Sequence, residues 1–196
     1  MQSRLANGYS LMELMVVLWL VSTTAAISIP RISAALDDYR TYGAARYVSS
    51  RLQEARMEAV ARSAHAGLRF ASAGESYSFA MYLDGNHNGL LSRDIQRGVD
   101  PQIQRRERLS SLFPGTDFGV LPGVAAVESS GPAPTGNPIK FGASDMVVFT
   151  PLGTSTPGSL YIRGRRDRQY VIRVLGDTGR TRILKFDWRT GRWRPL

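Results

Sequence analysis

The longest apolar stretch of the chain lies close to its N-terminus. Residues 9–29 span 21 positions and contain one charged side chain, Glu13. A helix of this length reaches about 30 Å, which is the thickness of the hydrocarbon core of a bilayer. The pattern therefore predicts a helix long enough to cross a membrane.

Helical spacing continues beyond this stretch. Apolar residues recur at intervals of three and four, as on one face of an amphipathic helix, at Ala45, Val48, Leu52, Ala55 and Ala59. We therefore predict one long helix over about residues 10–64, on which Glu54 and Glu58 lie close enough to pair with Arg51 and Arg62. Pro30 is expected to bend or locally break it, because proline removes a helical hydrogen bond. A membrane half, residues 9–29, then precedes a soluble half, residues 30–64, and Gly67 is the expected stop.

Short runs typical of β-strands follow the helix. Residues 67–72 and 77–83 flank a turn at residues 73–76, which predicts a hairpin. Further strands are predicted at residues 139–141, 146–150, 159–163, 169–175 and 180–188. In residues 169–175 apolar side chains occupy both alternating sets, so burial on both faces is expected. Residues 122–138 lack patterned hydrophobicity and are predicted to form a mobile loop.

This order of elements predicts an α+β fold, in which the soluble half of the helix packs its small-residue face against other elements. Residues 65–196 would form the β-rich globular domain. A hydrophobic content of 43% is compatible with a packed core. The chain has no cysteine, which excludes disulfides and thiolate metal sites.

The positive charge of the chain is concentrated at its C-terminal end. The net charge is +9, and residues 163–196 alone hold 11 basic and 3 acidic side chains. A local excess of this kind indicates an anionic partner.

Glu13 is the unusual residue of the apolar stretch, because a carboxylate near a membrane helix needs a partner or water. The basic Arg4 and the turn-prone pair Asn7 and Gly8 come before the apolar run, not after it as in a secretory signal. If the chain were cut after Gly8, the new α-amine of Tyr9 on one copy could pair with Glu13 of a neighbouring copy. Glu13 would then set the register of assembled helices. The alternative is a charge tolerated at the membrane surface.

The stretch G-Y-S-L-M-E-L-M-V-V-L after a short basic leader resembles the processing and methylation motif of type IV pilins and type II secretion pseudopilins. The resemblance implies a leader peptide, residues 1–8, that the prepilin peptidase removes after Gly8. It also implies N-methylation of Tyr9 and a role of Glu13 in assembly. Tyr9 stands where the family usually has phenylalanine, which leaves the rate of methylation open.

The segments VFTPLGTSTPGSLYI and RQYVIRVLGDTGRTRILKFD resemble the C-terminal region of the GspH/FimT subgroup of this superfamily. The implied fold is the pilin-like one, a long kinked helix packed on antiparallel β-sheets. The implied protein is a single-pass inner-membrane subunit with its C-terminal domain in the periplasm. Its partners would be other pseudopilins or minor pilins, contacted through the N-terminal helix. Two settings stay open: a type II secretion pseudopilus, or a type IV pilus whose FimT-like subunit aids assembly or binds DNA.

A second motif has part of the spacing of a calcium-binding loop. Asp84, Asn86 and Asn88 occupy its positions 1, 3 and 5. Position 12, where such a loop needs a bidentate glutamate, is Ile95. A plain polar turn is the alternative, because Asn, Asp and Gly adopt turn conformations readily. We expect no other cofactor.

The basic C-terminal region contains Gly179, Arg180 and Arg182, which resemble the Gly-Arg-x-Arg element of DNA-binding FimT-type pilins. Two positions apart on a strand, the arginines would point to the same side. Other arginines could contact phosphates and two tryptophans could stack on bases: Arg163, Arg165, Arg166, Arg168, Arg189, Arg192, Arg194, Trp188 and Trp193. The alternative is an exposed sheet decorated with arginines that contact acidic neighbours or lipid headgroups.

Catalysis is not expected. The two histidines, His65 and His87, lack the spacing of metal ligands, and no nucleophile motif or phosphate-binding glycine loop is found.

Overall fold

The computed structural model describes residues 10–74, 76–127, 134, 136–142 and 144–196. The chain divides into two compact units, with the boundary between Leu36 and Asp37. Gly8, Tyr9 and the rest of the predicted leader lie outside the described residues.

Helix α1 runs over Leu11–Ala61 and continues through Pro30, so a local break at this proline is not found. A bend there stays a prediction. The helix ends three residues before the predicted limit. Ser63 adopts a left-handed φ of 50°, and the N–H of Ala64 bonds to the carbonyl of Ala59. This is a Schellman cap, which satisfies helix carbonyls that would otherwise be unpaired.

The expected stop at Gly67 is wrong. Gly67 lies inside strand β1, Ala66–Ala73, where a side chain would overlap the backbone carbonyl of Val147 in the neighbouring strand. Glycine at this position therefore allows the two strands to pack closely.

The second unit, Asp37–Leu196, contains two antiparallel sheets in addition to the end of α1. The hairpin is confirmed, and the other predicted strands lie within two residues of their predicted limits, whereas the strand at residues 192–195 was not predicted. The elements are β1 Ala66–Ala73, β2 Ser76–Leu83, α2 Ser92–Arg97, β3 Glu107–Arg108, α3 Leu109–Leu112, β4 Asp117–Phe118, β5 Ile139–Lys140, β6 Met146–Phe149, β7 Gly158–Arg163, β8 Gln169–Val174, β9 Thr181–Asp187 and β10 Arg192–Pro195.

The first sheet, sheet A, has the order β3-β2-β1-β6. The second, sheet B, has the order β10-β9-β8-β7-β4, and β5 pairs with β7. Strands β7 to β10 form a meander in which each strand pairs with the next.

The part of α1 that belongs to the second unit packs on both sheets through one continuous core. The predicted apolar face of the helix is confirmed, because its five residues have no exposed surface. They share a core cluster with Leu68 and Phe79 of sheet A and with Leu160 and Ile172 of sheet B. Small alanine side chains let the helix approach both sheets closely.

Strand β8 is buried on both faces, as predicted. Tyr170, Ile172 and Val174 join the core against α1, whereas Val171 is buried on the opposite face.

The predicted mobile loop, residues 122–138, is only partly within the described residues, and its mobility stays a prediction. The described residues of this segment contain no helix or strand. Val124 is nevertheless buried, so this part of the segment carries one packed side chain.

Candidate functional site

The apolar part of α1 is exposed to the surroundings in the single chain. One 18-residue window of the helix is apolar enough to cross a membrane, and none of it is buried. Leu11, Met15 and Trp19 each keep more than 60% of their surface exposed. A soluble protein rarely leaves so large an apolar surface uncovered, so this segment is available to lipid or to another helix.

Glu13 lies in the first turn of this segment and its side chain is exposed. A carboxylate in this turn interacts favourably with the helix dipole. Glu13 is the one ionisable residue between residues 10 and 29. It therefore has the position that the register hypothesis requires, although its predicted partner, the amine of Tyr9, lies outside the described part of the chain.

The first residues of the second unit are held to sheet B by an ion-pair cluster around Asp38. Its carboxylate accepts hydrogen bonds from Lys185 Nζ at 2.8 Å and from the hydroxyl of Tyr170 at 2.9 Å, and Arg168 lies 3.6 Å away. Burial acts to raise the pKa of Asp38, but the bonds from Lys185 and Tyr170 outweigh it, and the pKa is lowered.

A second cluster joins the C-terminal part of α1 to sheet A. Arg51 contacts Glu54 at 2.8 Å and Glu107 at 3.0 Å, and Tyr47 donates to Glu107 at 2.7 Å. Burial acts to lower the pKa of Arg51, but its partners raise it overall. The predicted pairing of Arg51 with Glu54 is confirmed. The pairing of Glu58 with Arg62 is also confirmed, at 2.6 Å.

Gly179 has a structural role that the motif alone did not reveal. Its φ is 60°, it is buried, and a Cβ there would lie 2.5 Å from the carbonyl oxygen of Gly153. Only glycine fits this turn without strain. Arg180 precedes strand β9 instead of starting it, and Arg182 is the second residue of the strand.

Arg182 and Arg173 lie directly opposite each other on β9 and β8. Cross-strand partners share a face of the sheet, and like charges in this arrangement are destabilising unless an anion or an acidic group lies nearby. The same row continues through Ser159 to Lys140. Arg180, Arg182 and Lys140 are exposed and form no ion pair within the described residues. We name this surface, Lys140, Arg173, Arg180 and Arg182, the basic row.

The two tryptophans proposed for base stacking are engaged in packing. Trp188 and Trp193 both contact the ring of Phe186, with centroids 4.9 and 5.1 Å away. Their indole N–H groups donate to the carbonyls of Asp167 and Ala125 respectively. The two tryptophans therefore cover the outer face of sheet B, and neither of them belongs to the basic row.

The Asp84 loop is built as a polar turn. Asp84 is buried and accepts hydrogen bonds from the backbone N–H groups of Asn86 and Gly89, at 3.2 and 2.8 Å. His65 Nδ1 lies 3.3 Å from the same carboxylate. Asn88 donates its side-chain amide to Asp94.

This donor set does not fit a calcium loop. Ile95, at the position of the bidentate ligand, packs with Leu90 against Ala80 and Tyr82 on the outer face of sheet A. Among the described residues, no group of three or more acidic or histidine side chains could hold a metal ion. Calcium binding by Asp84, Asn86 and Asn88 thus stays a prediction without support from the geometry.

A helix that is apolar in its first part and packs on antiparallel sheets in its second part defines a pilin-like subunit. Residues 44–179 match the family model of the type II transport protein GspH. This match covers more than two thirds of the chain, and the chain belongs to the GspH family.

One solved structure is similar to this chain. The minor pseudopilin EpsH from the Type 2 Secretion System of Vibrio cholerae matches with 16% identity and a TM-score of 0.46, over 74% of this chain and 97% of that one. No curated protein matches the chain significantly.

The family assignment confirms the predicted class, a minor pseudopilin of the type II secretion kind. The family is structural in character. The FimT-like setting gains no comparable support.

Proposed function

We propose that this protein is a non-catalytic subunit of a type II secretion pseudopilus, stored in the inner membrane and then assembled into the filament or onto its tip. The observation that carries the proposal is the division of α1. Its large apolar residues are exposed from Leu11 to Leu36, whereas the alanine-rich face of its second part is buried against the protein's own sheets. The first part is left for lipid in the storage state and for neighbouring helices in the filament.

Assembly begins with processing in this proposal. The prepilin peptidase cuts after Gly8, and the amine of Tyr9 is methylated. The amine of an incoming copy then pairs with Glu13 of its neighbour inside an apolar layer, where an unpaired carboxylate is costly. The C-terminal domain is in the periplasm.

To test this proposal, the chain is expressed with and without a prepilin peptidase and the other pseudopilins. Mass spectrometry of membrane-extracted protein should show loss of residues 1–8 only with the peptidase. Glu13→Gln should enter sheared filaments at least tenfold less than the unmodified chain. Glu58→Gln is the matched control, because Glu58 lies on the same helix and pairs with Arg62 at the surface. An intact N-terminus beside active peptidase contradicts the proposal, as does equal incorporation of Glu13→Gln.

DNA binding is a second candidate function, favoured by the juxtaposition of Arg173 and Arg182 in the basic row. Two guanidinium groups on one face of a sheet suit the spaced phosphates of a duplex. A gel-shift assay at 50 and 200 mM salt should show binding that weakens with salt. Arg180→Gln with Arg182→Gln should reduce it about tenfold, whereas Arg105→Gln with Arg106→Gln, which removes an exposed pair elsewhere, should not. Absence of any shift by the unmodified protein ends this candidate.

A further inference from the structure

A tight turn of arginines lies at the end of sheet B that contacts the first residues of the second unit. Residues 163–168 read R-G-R-R-D-R and connect β7 to β8. We name them the arginine turn. Their Arg168 lies 3.6 Å from Asp38, the second residue of the unit. A Cβ at Gly164 would overlap the hydroxyl of Thr41, so the turn is packed against the first helical turns of the unit.

The arginine turn is closed by a backbone hydrogen bond, and the residues at its tip are exposed. The N–H of Gly164 bonds to the carbonyl of Arg168 at 2.7 Å, which closes the turn. Arg166 holds a left-handed φ of 56° at the tip. Arg165 and Arg166 are exposed, whereas Arg168 is half-buried beside Asp38.

The meander brings a second turn to the same end of the sheet. Residues 188–191 connect β9 to β10, and Trp188 donates its indole N–H to the carbonyl of Asp167 in the arginine turn. Arg189 is exposed, and Trp188 keeps 40% of its surface accessible. A hollow of about 810 Å³ borders both turns and is lined by Arg168, Lys185, Trp188 and Arg189, among others. Exposed arginines beside a half-exposed tryptophan are the side chains that settle at a lipid headgroup layer.

The position of Asp38, shortly after the predicted span in the chain, favours lipid headgroups as the anion that the arginine turn binds. Asp38 follows Ile29, the end of the predicted span, by only nine residues, and its partner Arg168 belongs to the arginine turn. Tyr39, next to Asp38, is 77% exposed. With Trp188 it makes two aromatic residues of the kind found at membrane interfaces.

We propose that the arginine turn and Arg189 bind anionic phospholipid headgroups while the subunit is held in the membrane. The inference rests on the membrane anchoring proposed above. It gives the basic charge at this end a use separate from that of the basic row, which lies toward the opposite end of the same sheet. Binding to headgroups would keep the second unit on the bilayer before assembly, and extraction into a filament would release it.

The experiment uses the full chain in vesicles of neutral phosphatidylcholine or with 30% phosphatidylglycerol. Because the chain has no cysteine, one fluorophore can be placed at Thr190→Cys, in the exposed β9–β10 turn. Quenching by a headgroup nitroxide should be at least twofold greater in anionic vesicles. The difference should vanish in 0.5 M NaCl. A fluorophore at Leu152→Cys, beside Gly153 and the far turn of the sheet, should show no lipid dependence.

Variants then show which arginines cause the lipid-dependent quenching. Arg165→Gln with Arg166→Gln should remove at least half of the lipid-dependent quenching, whereas Arg180→Gln with Arg182→Gln, with the same net charge, should leave it intact. Equal quenching in both lipids overturns the inference, and so does an equal loss in both variants. The inference also fails if Arg165→Gln with Arg166→Gln abolishes duplex DNA binding and leaves vesicle binding unchanged. If the Gln variant does not fold, persistence of the lipid dependence in 0.5 M NaCl overturns the inference by itself. Flotation with neutral vesicles reports the anchor separately, and its failure contradicts the proposed anchoring.

Discussion

Asp38 in helix α1 and Lys185 in strand β9 form an ion pair at 2.8 Å, although 147 positions separate them in the chain. Tyr170 donates to the same carboxylate. The cluster ties the start of the second unit to strands β8 and β9 of sheet B. It is therefore the contact that fixes the first helical turns of this unit.

We predict that Asp38→Asn lowers the free energy of unfolding at pH 7 by about 1–2 kcal/mol. Hydrogen bonds to a charged group contribute about 1.5–3 kcal/mol, and partial exposure of the carboxylate reduces that figure. Urea unfolding measures it. Asp177→Asn is the control, because Asp177 is exposed in the far turn of the sheet.

The lowered pKa of Asp38 also predicts a pH dependence. A carboxyl whose pKa is lower in the folded state stabilises the fold above its unfolded value of about 3.9, and this contribution is lost as the pH falls through the folded value. The stability difference between the unmodified chain and Asp38→Asn should thus shrink on acidification below pH 4. A difference that stays constant to pH 2.5 would contradict the assigned ion pair.

The apolar face of α1 supports a second prediction. Leu52 has no exposed surface and lies in the core cluster that the helix shares with both sheets. Leu52→Ala should lower the free energy of unfolding by about 2–5 kcal/mol, because it opens a cavity in the core. Met57→Ala on the exposed face of the same helix should change it by less than about 0.5 kcal/mol. Similar values for both variants in urea unfolding would show that this helix does not pack as described.

The sequence predicted correctly those parts of the fold in which apolar positions recur at regular spacing. The helix face from Ala45 to Ala59 and the long strands of the meander repeat their apolar positions over several turns or pleats, so each carries its own signal. The pairs of Arg51 with Glu54 and of Glu58 with Arg62 follow from helical spacing in the same way.

The elements that sequence reasoning missed have no such period. Strands β3 and β4 are two residues long and exist only because a longer strand pairs with them. Helix α2 has six residues, and its position depends on Ile95 reaching the outer face of sheet A. The ion pair of Asp38 and the arginine turn beside it depend on the order of strands, which charge counting along the chain does not contain.

The Asp84 loop gives a third prediction, which separates a polar turn from a metal site. Asp84→Asn should lower the free energy of unfolding by about 1–3 kcal/mol, because an amide has one acceptor oxygen where the buried carboxylate uses two. Thermal melting of the unmodified chain should be the same with 5 mM calcium as with chelator. A saturable rise in Tm with calcium would contradict the polar-turn assignment. Asn86→Ser, at an exposed position, is the control.

The last prediction concerns Gly179, whose place in the Gly-Arg-x-Arg element suggested a role at a phosphate. Its positive φ, together with the 2.5 Å approach of a Cβ to the Gly153 carbonyl, predicts that Gly179→Ala lowers the free energy of unfolding by about 2–4 kcal/mol. Gly191→Ala is a matched control. That glycine has a φ of 63°, but nothing lies within 4 Å of its Cβ position, so only the backbone strain of about 1–2 kcal/mol applies.

The pair of glycine variants separates the two roles because both remove the same backbone freedom. If Gly179→Ala melts clearly below Gly191→Ala, close packing of this turn on Gly153 explains the glycine without any ligand. If the two variants are equally stable, the Gly153 contact contributes nothing, and close approach of a phosphate becomes the better reason for glycine at this position. The duplex-binding assay with both variants then decides, since loss of binding in Gly179→Ala at unchanged stability requires contact with the nucleic acid.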